Sequence, residues 1–201
     1  MIENNVASAY QSYIICATPR TGSTLLCDLL ESTAVAGRPD SYFRRQSIAC
    51  WMRHLGIPAL TDEREFNRAY LEAVLREGTA GTDLFGLRLM WETVAELSAR
   101  LDLLHPGLPD DAARFEHAFG TTRYIHLSRQ DKIAQAVSRL RAEQTGLWHT
   151  ASDGSERERL APPRPPAYDA DRLMQLEAEI SIQDAAWEAW FAQLGLAPIR
   201  V

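Results

Sequence analysis

Residues 12–30, SYIICATPRTGSTLLCDLL, restrict the fold more than any other part of this chain. Residues 13–17 form a short apolar run without alternation, the pattern of a strand covered on both faces in a parallel sheet. Residues 18–23 are a tight polar loop holding Pro19 and Gly22, and from Thr24 onward Leu25, Leu26, Leu29 and Leu30 share one side of a predicted helix. A strand that runs through a glycine-containing loop into a helix N-terminus aims backbone N–H groups and the positive end of the helix dipole at one point. Arg20 adds a fixed cation, and Thr21, Ser23 and Thr24 add hydroxyls. The stretch is predicted to cradle a phosphate or sulfate.

Two common phosphate loops are excluded by spacing. A Walker A loop needs a Lys directly after its last glycine, whereas here the cation, Arg20, precedes Gly22. A dinucleotide fingerprint, GxGxxG, is absent. With 201 residues, 46% of them hydrophobic and 24% charged, one domain with a real core is expected. A net charge of −6 argues against a general nucleic-acid binder but leaves room for a local basic pocket. Cys16, Cys27 and Cys50 are odd in number and lack CxxC spacing, so neither a disulfide framework nor a metal site is expected. No basic segment precedes an apolar one at the N-terminus, and no apolar run approaches the ~18 residues of a membrane span. A soluble, reducing compartment, the cytoplasm, fits best.

After a polar lead-in over residues 1–11 and the first strand and helix, Gly37 and Pro39 open a loop near the cradle. Ile48, Trp51, Met52 and Leu55 mark a second helix ending at Gly56 and Pro58. Thr61 is a candidate N-cap for a third, carrying Phe66, Tyr70, Val74 and Leu75 and stopping near Gly78. Residues 85–90 read as a second strand, 94–104 as a helix, 123–127 as a third strand, and 131–144 as a helix with Ile133, Ala136, Val137 and Leu140 inward. Residues 151–169 are rich in charge and proline and read as an exposed loop or lid. The longest helix starts at Asp171, with Leu173, Leu176, Ile180, Trp187, Phe191 and Leu194 inward, and residues 197–201 (APIRV) begin a fourth strand. Alternating strands and helices predict one α/β three-layer domain with a mainly parallel central sheet.

A second anion site is expected where Arg129 ends the third strand and Ser138 comes on the next helix. In open α/β sheets ligands bind at the carboxyl ends of the strands, so both residues can face the first loop. An Arg fork suits phosphate oxygens, and a hydroxyl completes the grip. Nine positions of continuous helix would separate the two by roughly 13 Å, so a shared phosphate requires the helix to start after Arg129.

TPRTGSTLL resembles the loop that holds the 5′-phosphosulfate of PAPS (3′-phosphoadenosine 5′-phosphosulfate) in PAPS-dependent sulfotransferases. YIHLSRQDKIAQAVSRLRAEQTGLW resembles their segment for the 3′-phosphate. With VAGRPDSYF, FGLRLMW, EQTGLWH, the Trp187–Trp190–Phe191 cluster and APIRV, the order from about residue 13 to 201 resembles the Stf0 family, bacterial sulfotransferases of the trehalose 2-sulfotransferase-like type. The resemblance implies a P-loop nucleotide-kinase-like sulfotransferase fold, PAPS as co-substrate, a hydroxyl acceptor on a small molecule or glycolipid, a sugar among the candidates, and a homodimer. It implies that Arg20, Thr21, Gly22, Ser23 and Thr24 bind the donor's 5′ end, with Arg20 neutralising the leaving phosphate, and that Arg129 and Ser138 bind its 3′-phosphate. In-line transfer of this kind needs no metal.

Trehalose-acting members read EPQEFF after the equivalent of Gly37, and Arg38 and Ser41 stand here at its two Glu positions. Asp40 is the acidic group left and the first candidate base, with His54 behind it; as a turn cap after Pro39, Asp40 has an equally good structural reason. His126, inside a strand, reads as a buried structural histidine. Arg88 fits either a secondary ligand or a buried ion pair, and Trp91 and Trp148 either stacking platforms or core. Such relatives continue past APIRV into a YExL-like turn and a further helix, so a chain shortened at its C-terminus is expected. Two alternatives remain at this point: a degenerate, non-catalytic nucleotide-binding protein and, with less support, a small-molecule kinase.

Overall fold

A computed structural model describes residues 10–150 and 153–201. In chain order the elements are β1 (Ser12–Ala17), α1 (Ser23–Ser32), α2 (Ile48–His54), α3 (Glu63–Thr79), β2 (Phe85–Met90), α4 (Val94–Leu104), α5 (Asp111–Phe119), β3 (Thr122–Leu127), α6 (Lys132–Thr145), β4 (Leu147–Thr150), β5 (Glu156–Arg159), α7 (Ala170–Gln193) and β6 (Ile199–Arg200). Single 3₁₀ turns, Arg45–Ser47 and Trp91–Thr93, precede α2 and α4.

Four parallel strands lie in the order β2-β1-β3-β6. β1 is an inner strand, and every residue in it is buried, which only a strand covered on both faces tolerates. Its register pairs Ser12 with Phe85 and Thr122, and Ala17 with Met90 and Leu127. The three strands therefore end flush, and the loops that leave their carboxyl ends meet at one rim.

The pleat sends Ile14 and Cys16 to one face and Tyr13, Ile15 and Ala17 to the other. On the first face they join Leu87 and Leu89 against Tyr70 and Val74 of α3, Leu97 and Leu101 of α4, Phe115 of α5, and Trp187 and Phe191 of α7. On the second, Cys27, Leu26 and Leu30 of α1 cover the sheet. Helix, sheet, helix is the expected three-layer order. α6 packs along α7 through Ala136, Leu140, Leu176 and Ile180. Among the described residues no helix is long and apolar enough to cross a membrane.

Several local expectations are corrected. Leu25 and Leu29 are 64% and 57% exposed, because four leucines at this spacing span a wider arc than one sheet contact covers, and Cys27 takes the central place. Ile133 and Val137 likewise face outward, while Gln135, Ala136, Leu140 and Ala142 are buried. Asp62, not Thr61, caps α3 by accepting from the Glu65 N–H at 2.7 Å, and Gly78 lies inside the helix. α5 is an addition to the expected elements: Phe115 and Phe119 are its only buried residues, too thin a pattern to read. The 151–169 segment is not all loop, since β5 pairs antiparallel with β4 as a hairpin; residues 151 and 152 lie outside the described residues. So does most of the predicted lead-in, residues 1–9.

Candidate active site

The loop between β1 and α1 is held from below. Gln135 of α6, fully buried, donates through Nε2 to Thr18 Oγ1 at 2.9 Å and to the Pro19 carbonyl at 2.6 Å. The Thr21 hydroxyl donates to the Thr18 carbonyl at 3.0 Å, closing the turn from within. Arg20 and Gly22 both have left-handed backbone, with φ of 68° and 92°. At position 22 glycine is the residue that adopts this without strain, and at position 20 an Arg bears the cost. Gly22 caps α1 without a side-chain bond, so the first-turn N–H groups point outward uncapped, with Ser23 buried beside them.

The Arg20 guanidinium donates through Nε to Ser138 Oγ at 3.0 Å and through Nη1 to the Trp148 carbonyl. Neither partner is charged. Burial pushes its pKa down; Glu158 opposes this and Arg129 adds to it. An Arg stays protonated regardless, so the shift registers the cost of burying its charge. Arg129 is exposed and makes no hydrogen bond or ion pair among the described residues. α6 begins at Lys132, after Arg129, which meets the spacing condition set by the sequence. The Arg20 guanidinium, the Ser138 hydroxyl and an uncapped helix end thus share one rim with no protein anion hydrogen-bonded to Arg20, and the charge of Arg129 is felt there.

Arg88, in β2, ties the loop over residues 37–43 to α1. Its Nη1 donates to Thr24 Oγ1 at 2.6 Å, its Nε to Ser41 Oγ at 2.8 Å, and its Nη2 pairs with Asp40 Oδ1 at 3.2 Å. Asp40 Oδ1 also accepts the Ser41 N–H at 2.6 Å, and the Asp40 carbonyl takes the Arg88 N–H at 3.0 Å. The ion-pair reading of Arg88 and the turn reading of Asp40 thus meet in one cluster at the cradle's lip.

The β4–β5 hairpin closes the other side. Gly146, with φ of 71°, ends α6, and a Cβ there would collide with the Ala161 carbonyl. His149 stands opposite Glu158 across the hairpin. His149 Nε2 lies 3.3 Å from Glu158 Oε2 and 3.3 Å from Thr24 Oγ1. Arg44 Nη1 holds Glu158 Oε1 at 2.9 Å, and Arg157 pins the hairpin to α1 through Asp28 at 2.7 Å. Burial lowers the His149 pKa; Glu158 opposes this, while Arg88, Arg20 and Arg157 reinforce it. The sequence singles out none of His149, Glu158 and Arg44 as a site residue, although Arg44 lies in the loop opened by Gly37 and Pro39, Glu158 in the 151–169 loop or lid, and His149 in the EQTGLWH motif. β5 reads ERER, with no apolar alternation to mark a strand.

The remaining candidates fall elsewhere. His54 is 58% exposed beside Glu77, and His126 is buried between Asp184 and Glu188. Trp91 packs edge-on against Trp187 in the core. Among the described residues no group of His, Cys, Asp and Glu could hold a metal.

Comparison with known proteins gives the chain's relatives. The profile of the Stf0 sulphotransferase family matches residues 12–201. The chain is similar to the trehalose 2-sulfotransferase of Mycobacterium tuberculosis (strain ATCC 35801 / TMC 107 / Erdman), 28% identical over 216 residues covering 98% of this chain and 78% of that protein. It is also similar to the trehalose 2-sulfotransferase of Mycolicibacterium smegmatis, 28% identical over 217 residues covering 94% of this chain and 76% of the relative.

Proposed function

The chain belongs to the Stf0 sulphotransferase family, and from that premise we propose that it transfers the sulfonate of PAPS to a hydroxyl of a carbohydrate acceptor. One observation carries the donor reading: Arg20, half-buried on the loop that leads into the uncapped start of α1, hydrogen-bonds only neutral partners and no protein carboxylate. A partly buried cation beside open helix N–H groups favours completion by an anion. A sugar acceptor is supported by the names of the two relatives, and the non-catalytic alternative is not favoured.

In this reading the first-turn N–H groups after Gly22, with Ser23, Thr24 and Arg20, hold the 5′-phosphosulfate. Arg129 and Ser138 hold the 3′-phosphate, and Thr21 shapes the loop. The acceptor oxygen attacks sulfur in line, and the electron pair of the broken S–O bond goes to the 5′-phosphate, whose charge Arg20 meets. Asp40 serves here as the anchor that fixes Arg88. Three free thiols, two of them buried, accord with a cytoplasmic enzyme. A homodimer, carried by the family resemblance, is read out by light scattering.

The test is calorimetric titration with adenosine 3′,5′-bisphosphate against adenosine 5′-monophosphate. About micromolar binding that requires the 3′-phosphate and weakens about tenfold or more in Arg129→Ala is expected. Absence of binding by the folded chain would overturn the reading.

A further inference from the structure

We propose that His149 is the general base that takes the proton of the acceptor hydroxyl, and that Glu158 orients its ring and balances the charge it acquires. The proposal rests on the donor reading above. The ring lies within 3.3 Å of Thr24, a residue of the first turn of α1, so it stands one side chain from the anion cradle. An attacking hydroxyl must come to this lip to reach a sulfur held by the cradle.

In this proposal Nε2 is the protonated nitrogen and Nδ1 the base. Nε2 hydrogen-bonds the Thr24 hydroxyl, which accepts from Arg88, and lies 3.3 Å from a carboxylate oxygen of Glu158. A proton on Nε2 suits that carboxylate, and this tautomer leaves the lone pair on Nδ1. Among the described residues nothing bonds to Nδ1. Carboxylate, imidazole and open nitrogen in series are the arrangement general-base catalysis uses. Of the other candidates, Asp40 pairs through Oδ1 with Arg88 and the Ser41 N–H, and His54, on α2, faces Glu77 of α3.

The proton passes from the acceptor oxygen to Nδ1 as the new O–S bond forms and the old S–O bond breaks toward the 5′-phosphate. The imidazolium then stands against Glu158 and releases its proton to solvent, since the side chain is 27% exposed. The charged groups around it are Glu158 and Arg157 on β5, Arg88 on β2 and Arg20 on the loop, and Arg44 holds Glu158 from behind. Burial and three cations disfavour the imidazolium and one carboxylate favours it, so His149 is neutral and able to act as a base around neutral pH.

The test is His149→Gln in the full chain, with single-turnover consumption of PAPS measured with trehalose and with water alone over about pH 5 to 9. The rate is expected to fall about 100-fold, while adenosine 3′,5′-bisphosphate affinity stays within about threefold and the acid limb of the profile disappears. Glu158→Gln, by removing the carboxylate that favours the imidazolium, is expected to move that limb to lower pH. A His149→Gln rate within about threefold of the parent, or a loss of affinity equal to the loss of rate, overturns the proposal. Failure of the parent chain to bind the nucleotide overturns the donor reading, and this proposal with it. NMR of the imidazole nitrogens checks the ring without turnover: an Nε2–H tautomer is expected, and an Nδ1–H tautomer overturns the assignment.

Discussion

The indole Nε1 of Trp187 donates to the carbonyl oxygen of Ala17 at 3.0 Å, joining the middle of α7 to the last residue of β1 before the cradle. Trp187 has no exposed surface, so neither group has water as an alternative. Trp187→Phe keeps most of the ring and removes the donor. Unfolding in urea is expected to show a loss of about 1–3 kcal/mol; an unchanged midpoint would mean the Ala17 carbonyl finds another donor.

Removing Arg129 is expected to separate stability from binding. Without ligand its charge opposes that of Arg20, so Arg129→Ala should melt no lower than the parent, while nucleotide affinity falls. A parallel fall in both would show that Arg129 props up the rim instead of binding an anion.

Arg88 is the only cation bonded to Thr24, Ser41 and Asp40 among the described residues. Arg88→Met leaves those partners without their donor, and a loss of about 1–3 kcal/mol is expected by denaturant unfolding. Arg88→Lys is expected to recover only part, because an ammonium cannot reproduce a fork that meets three groups at once. Full recovery by Lys would show that charge alone matters.

At the far end of the same rim, burial pushes the Asp184 carboxyl up. Its bonds from Lys132 at 2.7 Å and Ser128 at 2.8 Å, with His126 alongside, outweigh this and hold its pKa below the usual range. A depressed folded-state pKa contributes stability above the unfolded value of about 3.9, and that contribution is lost as pH falls through the folded value. Asp184→Asn should therefore lower the denaturation midpoint at neutral pH, with the gap to the parent closing below about pH 3.9. A gap constant with pH would mean that hydrogen-bond geometry, not ionisation, is what the carboxylate contributes.

The parts of the fold legible in the sequence are those whose cause is local. β1, β2 and α4 can be placed because short apolar runs between glycine, proline and polar turns have one economical reading. The same holds for the loop after β1, whose glycine, cation and hydroxyls are neighbours in sequence. What stays hidden depends on distant partners. The inward face of α1 is chosen by the sheet, not by the leucines, and β5 exists because its charged residues meet Asp28, Arg44 and His149. The contact that brings His149 to Thr24 spans 125 positions, and the one from Arg88 to Thr24 spans 64, so no local pattern announces either. The sequence puts Ser138 beside Arg129; its observed bond is to Arg20, on the loop that both residues are expected to face.

Asp40 has a further consequence through its backbone. β2 lies at one end of the strand order, and Asp40 forms a parallel bridge to Leu87 on its outer side. A strand at a sheet's edge offers unpaired peptide groups to any other chain, and a single residue laid along it works as a plug. That plug is held by the Arg88 side chain. Loosening the lip of the candidate crevice would therefore also open a surface for strand-to-strand self-association, so resistance to aggregation and the shape of that lip depend on one guanidinium.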